Sequence, residues 1–473
     1  MPDASTPNAS TPNASSPPDA PADALVADAQ ALYRAAVRRV QADRVLPADR
    51  LADALAPLPT AVRVAAFGKA ALAMAGVAER HLQSRRGEGA VSGVAVVPDG
   101  YRDTLPSHLP APRHIDVLTG GHPLPSAASE KAGQCLRQMA DASGPGDLLL
   151  VLISGGGTAL TSAPAGDLHV DDLRTTYQLL LHGGVGIHDA NVVRKHLTQI
   201  GGGQLARAAA PARIVALAVS DVPGDDLSTI ASGPTVPDAS TYAGAMRVLY
   251  RNGLWREVPE AVREHLAAGA NRRRPETPPA DAPCFERATT RLVATNQTAL
   301  SAMQEEAESR GYRVAQVKSG IEGEARDVGA QMAHTVQEAS LDRPTCWLWG
   351  GESTVTVTGS GHGGRNQEVA LGAARVLAAS DANPDSQETN APHVVLLSGG
   401  TDGVDGPTDA AGAWVTPATV RRAHSNGLDL ADHLERNDAY PALDTLNALL
   451  RPGPTHTNVM DVAVALAIPR SDA

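Results

Sequence analysis

The feature that most constrains this chain is a series of short apolar runs that do not alternate. Val62–Phe67, Gly93–Val97, Leu148–Ile153, Ile214–Ser220, Leu292–Thr295, Cys346–Trp349 and Val394–Ser398 are apolar almost throughout. An alternating strand buries one face and wets the other, whereas a continuous run is buried on both. Helix-like stretches separate the runs. That order predicts parallel strands covered by helices on both faces. Ser353–Thr358 does alternate, and with Cys346–Trp349 it predicts a hairpin across Gly351-Glu352, hence a mixed sheet in the second half.

At 473 residues the chain is too long for one ordinary core. Asn271–Pro283, NRRRPETPPADAP, has four prolines, three consecutive arginines and no apolar period, and predicts a linker near residue 280. The expected fold is therefore α/β in two domains. Residues 25–280 should form a Rossmann-like, mostly parallel sheet with helices on both faces, and residues 281–473 an α/β domain with a mixed sheet. Residues 1–24 contain overlapping STPNAS repeats rich in Pro, Ser, Ala and Asn. Such a segment buries too little surface to offset its ordering entropy and predicts a disordered tail. The polar stretch Ala379–Pro392 predicts a surface loop.

Aromatic residues are only 3%, so the cores must be built from Ala, Val and Leu. The formal charge of −12 and the shortage of stacking side chains argue against nucleic acid as a partner. No apolar run approaches bilayer length, and no basic segment followed by an apolar one opens the chain, so neither a membrane nor secretion is expected. Cys135, Cys284 and Cys346 lie far apart without a CxxC. They offer no disulfide framework and no zinc site, and point to a reducing cytoplasm.

In open α/β sheets ligands bind beyond the carboxyl ends of the strands, so polar residues there are the candidates. Lys69, in VAAFGKAA, is either a surface lysine or a point charge for a phosphate or carboxylate. Ser154 and Gly155, Gly156 and Gly157 follow a buried strand; their N–H groups could hold an anion or simply make a tight turn. No Walker A or G-x-G-x-x-G pattern is present. Asn191, Arg194 and Lys195 share one turn of a helix that faces either solvent or an anion. Asp221 stands directly after a strand, where a carboxylate suits magnesium. Glu352, Arg365, Asp402 and Asp405 lie in glycine-dense loops whose charge argues against a purely structural role. His122, in GGHPLP, is either a turn residue or a substrate contact. The histidines have no metal-binding spacing, and a GxSxG elbow is lacking.

Taken together, AFGKA, GGHPLP, ISGGGTAL, DANVVRKHL, SDVPGDDLSTIASGPTVPD, GGESTVTVTGSGHGGRNQE, SGGTDGVDGPTDAAGA and PTHTNVMDV resemble the glycerate 2-kinases that pair an N-terminal α/β domain with a C-terminal MOFRL domain. The blocks run in the family's order from about residue 60 to 465. Some relatives carry the label hydroxypyruvate reductase. The resemblance implies ATP-dependent phosphorylation of D-glycerate to 2-phospho-D-glycerate, with ATP and magnesium, in a cleft between the domains. It implies Lys69 and Arg365 as the residues most tied to catalysis, with Asp221 helping to place the metal. It implies that Asn458 completes the second wall, and it is compatible with a homodimer. One departure stands out: the family commonly has a lysine where this chain has Gly201. Two other classes compete with the kinase: an NAD(P)H-dependent hydroxypyruvate reductase, which lacks its dinucleotide fingerprint here, and a non-catalytic organic-acid or nucleotide binder.

Overall fold

The computed structural model describes residues 20–57, 59, 61–87, 91–378 and 392–469. Two six-stranded sheets organise the chain. The first contains β1 (Val62–Phe67), β2 (Val91–Pro98), β3 (Ile115–Gly120), β4 (Leu148–Ile153), β5 (Arg213–Val219) and β6 (Ala288–Ala294), in the order β3-β2-β1-β4-β5-β6. All of its neighbours are parallel. The non-alternating runs explain this directly. Val64, Ala66, Leu148, Leu150 and Leu152 enter one core, while Ala65, Phe67, Leu149, Val151 and Ile153 enter another on the opposite face. Helix Ala71–Arg86 covers the first face, and helices Ala127–Asp141 and Gln204–Ala209 cover the second.

The strand order reverses between β1 and β4. Connections that leave those two strands diverge to opposite sides and open a crevice at their carboxyl ends.

The second sheet contains β7 (Arg313–Ile321), β8 (Thr345–Gly351), β9 (His393–Gly400), β10 (Gly412–Val415), β11 (Leu449–Leu450) and β12 (Asp461–Ile468), in the order β11-β10-β9-β12-β8-β7. It is mixed: β7 and β8 are parallel, and the other pairs are antiparallel. The central strand β12 runs against both β8 and β9. Its first residue, Asp461, is in register with Gly351 and Gly400. The start of β12 therefore meets the ends of β8 and β9.

The two sheets share one core. The first helix, Ala20–Arg39, packs on β9, β12 and helix Asn296–Ser309. Its Leu25, Leu32 and Tyr33 join Leu348, Leu397 and Val464 of the second sheet and Val64 and Leu150 of the first. The Tyr33 hydroxyl donates to the Gly400 carbonyl at 2.7 Å, tying this helix to the end of β9.

Several expectations need correction. β6 lies beyond residue 280 yet pairs with β5, so the first sheet takes its edge strand from the segment assigned to the second domain. The proline-rich stretch is no free linker. The Pro278 carbonyl accepts from the Asp238 amide, the Thr277 hydroxyl donates to the Asp238 carboxylate, and Arg207 donates to the Glu276 carbonyl. These local hydrogen bonds hold it against the first half. A helix already begins at Ala20, inside the expected tail; residues 1–19 and 379–391, the latter most of the expected surface loop, lie outside the described residues. The hairpin at Ser353–Thr358 does not form, because β7 and β12 occupy both edges of β8. There Thr354 makes only an isolated bridge to Glu324, and Val357 is 74% exposed. Among the described residues no helix is long and apolar enough to cross a membrane.

Candidate active site

One wall of the cleft is built from the reversal of strand order. The turn after β1 and the turn after β4 lock together. The Lys69 amide donates to the Gly155 carbonyl at 3.0 Å, and the Ala70 amide donates to Ser154 Oγ at 2.9 Å. Gly68 has a φ of +116°, and a Cβ there would lie 2.3 Å from Ser154 Oγ, so only glycine allows this approach. Gly156 has a φ of +85° and opens the short helical turn Gly157–Leu160. A Cβ on Gly155 would meet Asp221 Oδ2 at 1.8 Å, and one on Gly156 would meet His122 Cδ2 at 2.9 Å. The glycine turn thus lies against both Asp221 and His122.

The other wall comes from the second sheet. Arg365 opens helix Arg365–Ala378 and grips Asp461 with two hydrogen bonds, Nε to Oδ2 at 2.6 Å and Nη2 to Oδ1 at 2.9 Å. Its third nitrogen, Nη1, lies 2.9 Å from Glu352 Oε1. Asp405 accepts from the amides of Asn366 and Gln367 at 3.2 and 3.0 Å. A carboxylate on the first free amides of a helix satisfies orphan donors and fixes the helix end. Here it also fixes where Arg365 starts.

Two contacts join the walls. Lys69 Nζ donates to Asp402 Oδ2 at 2.5 Å, and Asn458 Nδ2 donates to Asp221 Oδ2 at 3.0 Å.

The electrostatics bind these residues into one system. Burial raises Asp221 to about 6, against the pull of Lys69 and Arg365. Burial pushes Glu352 to about 7; Arg365 opposes this, and Asp461 and Asp221 add to it. Asp405 also rises to about 7, through burial and then Asp461. Lys69 shows the reverse balance: burial disfavours its ammonium, but Asp402, Tyr101 and Asp221 hold it above its ordinary value. Burial beside Lys69 drives His122 down to about 4, so its imidazole is neutral near pH 7. Both Lys69 and Arg365 therefore act on the same two carboxylates, Asp221 and Glu352.

The structure gathers Lys69, Ser154, Gly155, Gly156, Gly157, Asp221, Glu352, Arg365, Asp402, Asp405 and Asn458 around this cleft. Asn191 lies behind it. Its amide donates to the Thr229 carbonyl, and Ser232 Oγ bridges it to Thr158 beside the glycine turn. Lys195 is turned away. It is buried against Asp238 at 3.2 Å, which makes it a structural ion pair rather than an anion contact. Arg194 lays its guanidinium over the Tyr177 ring at 5.0 Å and has no carboxylate partner among the described residues. Gly201 is buried with Ser232 3.0 Å from the position a Cβ would take. Sequence reasoning missed Asp461 and Tyr101. Asp461 opens the apolar run DVAVALAI, which is the signal that could have found it. Tyr101, in a 3-10 turn after β2 (Tyr101–Thr104), had no such signal; burial raises its hydroxyl to about 12, with Lys69 opposing and Asp402 adding to the rise.

Comparison with known proteins places this geometry. Residues 28–267 match a domain of unknown function, DUF4147, and residues 345–461 match the MOFRL family. A glycerate 2-kinase from Pyrococcus horikoshii is 36% identical, with 86% of this chain and 87% of that protein covered. The human glycerate kinase is 34% identical over 85% of this chain and 84% of its own length. A putative hydroxypyruvate reductase from Agrobacterium vitis is 37% identical, covering 92% and 94%. The crystal structure of a glycerate kinase from Thermotoga maritima superposes with a TM-score of 0.77 at 33% identity, covering 94% of this chain and 100% of that one. The chain belongs to the glycerate kinase family that joins a DUF4147 domain to a MOFRL domain.

Proposed function

We propose that the chain transfers the terminal phosphoryl group of ATP to the 2-hydroxyl of D-glycerate, giving 2-phospho-D-glycerate. The observation that carries this reading is the convergence of two cations, Lys69 and Arg365, with a glycine turn and Asp221 in one cleft. Phosphoryl transfer demands positioning and charge neutralisation more than covalent chemistry. The amides of Gly155–Gly157 would receive phosphate oxygens. Lys69 and Arg365 would steady charge on the moving group or hold the substrate carboxylate. Arg194, which has no carboxylate partner among the described residues, would be a further phosphate contact. Asn191, through Ser232 and Thr158, steadies the glycine turn.

Among the described residues no cluster of three or more metal-ligating side chains forms a cage. Magnesium is typically held by one or two carboxylates and the phosphates it accompanies. Asp221, just after β5 and against the glycine turn, would be such a ligand. When bound, the metal supplies positive charge to the phosphate oxygens.

A reductase would need a dinucleotide fingerprint at the first strand–helix turn. Here that turn is Gly68-Lys69, and its lysine is engaged by Asp402. The test is an assay with ATP, magnesium and D-glycerate coupled to enolase without phosphoglycerate mutase, in which only the 2-phosphate gives signal. Rapid oxidation of NADH on hydroxypyruvate, with no phosphorylated product, would overturn the proposal.

A further inference from the structure

Five carboxylates ring the cleft, and their hydrogen bonds set them apart. Asp461 gives both oxygens to Arg365. Asp405 gives both to helix amides. Asp402 gives Oδ2 to Lys69 and Oδ1 to the Val404 amide. Asp221 gives Oδ2 to Asn458, packs against Gly155 and is the carboxylate assigned to the metal above. Glu352 commits only Oε1, to Arg365 Nη1. Among the described residues its Oε2 has no partner, and its side chain is 38% exposed, against 8% for Asp402 and 10% for Asp461.

The backbone aims this side chain. Gly351 has a φ of +151°, and a Cβ there would lie 2.4 Å from the Ile321 amide nitrogen, so the end of β8 can pass its neighbour only as glycine. The next amide, of Glu352, donates to the Ile321 carbonyl at 2.9 Å. The residue is thus held by main chain on one side and by Arg365 on the other, with one oxygen left for a ligand.

Resting on the kinase reading above, we propose that Glu352 is the catalytic base, whose free Oε2 takes the proton from the attacking hydroxyl of glycerate. As that oxygen bonds to the terminal phosphorus, its proton passes to Oε2. The bond from phosphorus to the bridging oxygen breaks, and its electron pair leaves with ADP. Arg365, which faces both Glu352 and Asp461, keeps the carboxylate oriented. Lys69, Asp221, Asp461 and Arg365 are the charged groups acting on Glu352, and their balance with burial leaves its proton affinity near neutrality. A base is most effective when its affinity lies near the working pH.

The test uses the full chain and the enolase-coupled assay across a range of pH, with wild type, Glu352→Gln and Glu352→Asp compared. Glu352→Gln should lower kcat by about 10²–10⁴-fold, with KM for ATP and glycerate little changed. It should also abolish the acid limb of the kcat–pH profile, which a merely structural role would leave in place. Glu352→Asp, which keeps a carboxylate, should retain that limb at reduced rate; if the glutamine variant fails to fold, loss of the limb in Glu352→Asp overturns the assignment. So does a folded glutamine variant with kcat within about tenfold of wild type or with its acid limb intact. An inactive wild type would overturn the kinase reading and this assignment together, whereas an active wild type with an unaffected variant removes only this one.

Discussion

Lys69 and Asp402 stand at the ends of strands in different sheets, and their side chains meet at 2.5 Å across the cleft. Neither sheet alone can neutralise its member of the pair. The Lys69 ammonium keeps its proton in a buried place because Asp402 is there. Lys69→Ala should lower turnover per folded molecule by about 10²–10³-fold or more, and should also lower the melting temperature, because Asp402 is left buried without its cation. Lys69→Arg should not restore it, because a planar fork is no substitute for a compact ammonium. Coupled assays with parallel thermal melts check this, and full activity in Lys69→Ala would refute the role.

Gly155 tests the cradle. An alanine there would place its Cβ 1.8 Å from Asp221 Oδ2 and 2.6 Å from Asn458 Nδ2. The hydrogen bond between those residues must then break. Gly155→Ala should fold, because the displaced atoms are side-chain ends, yet lose about 10²-fold or more in kcat/KM for ATP. Wild-type kinetics in this variant would show that the turn does not hold phosphate.

Lys195 should behave in the opposite way. Its pair with Asp238 is buried, and Asp238 is held below the ordinary carboxylate range because Lys195 and neighbouring hydroxyls outweigh burial. Removing one partner of a buried pair strands the other, at about 3–5 kcal/mol. Lys195→Ala should show that loss by urea denaturation, while turnover per folded molecule stays close to wild type. A stable but inactive variant would move Lys195 back among the ligand contacts.

Asp405 carries a pH signature. Folding raises its pKa from 3.8 to about 7, so the folded chain binds the proton more tightly between those values. Its contribution to stability is therefore complete below the lower value and is lost as pH rises through the upper one. In Asp405→Asn this component is missing. Urea denaturation at a series of pH values should show the variant gaining on wild type between pH 3.8 and about 7. Parallel profiles would rule the assignment out.

Much of this was legible before any coordinates. Val62–Phe67 and Leu148–Ile153 were readable to the residue because burial on both faces removes alternation, leaving an unmistakable apolar block. The polar residues at their ends followed from strand geometry. Illegible parts have physical reasons. Ser353–Thr358 looks like a strand locally, but strand formation depends on a vacant edge, which is decided by residues far away. Asn271–Pro283 reads as a linker by composition, whereas partners at Asp238 and Arg207 pin it down. Lys195 and Lys69 are both lysines near glycine-rich turns and both meet a carboxylate; only the fold reveals that the partner of Lys69 stands across the cleft at the end of β9, whereas that of Lys195 is buried within the first half.

The first helix has a consequence for anyone who would take this enzyme apart. It is made at the start of the chain but is roofed onto the later sheet, with Tyr33 clasping Gly400. A cut near residue 280 would give an early fragment with a greasy helix and nothing to cover, and a late fragment with one side of its sheet laid bare. Chimeras that exchange the two halves between relatives should work only when Ala20–Arg39 travels with the second sheet and Ala288–Ala294 with the first.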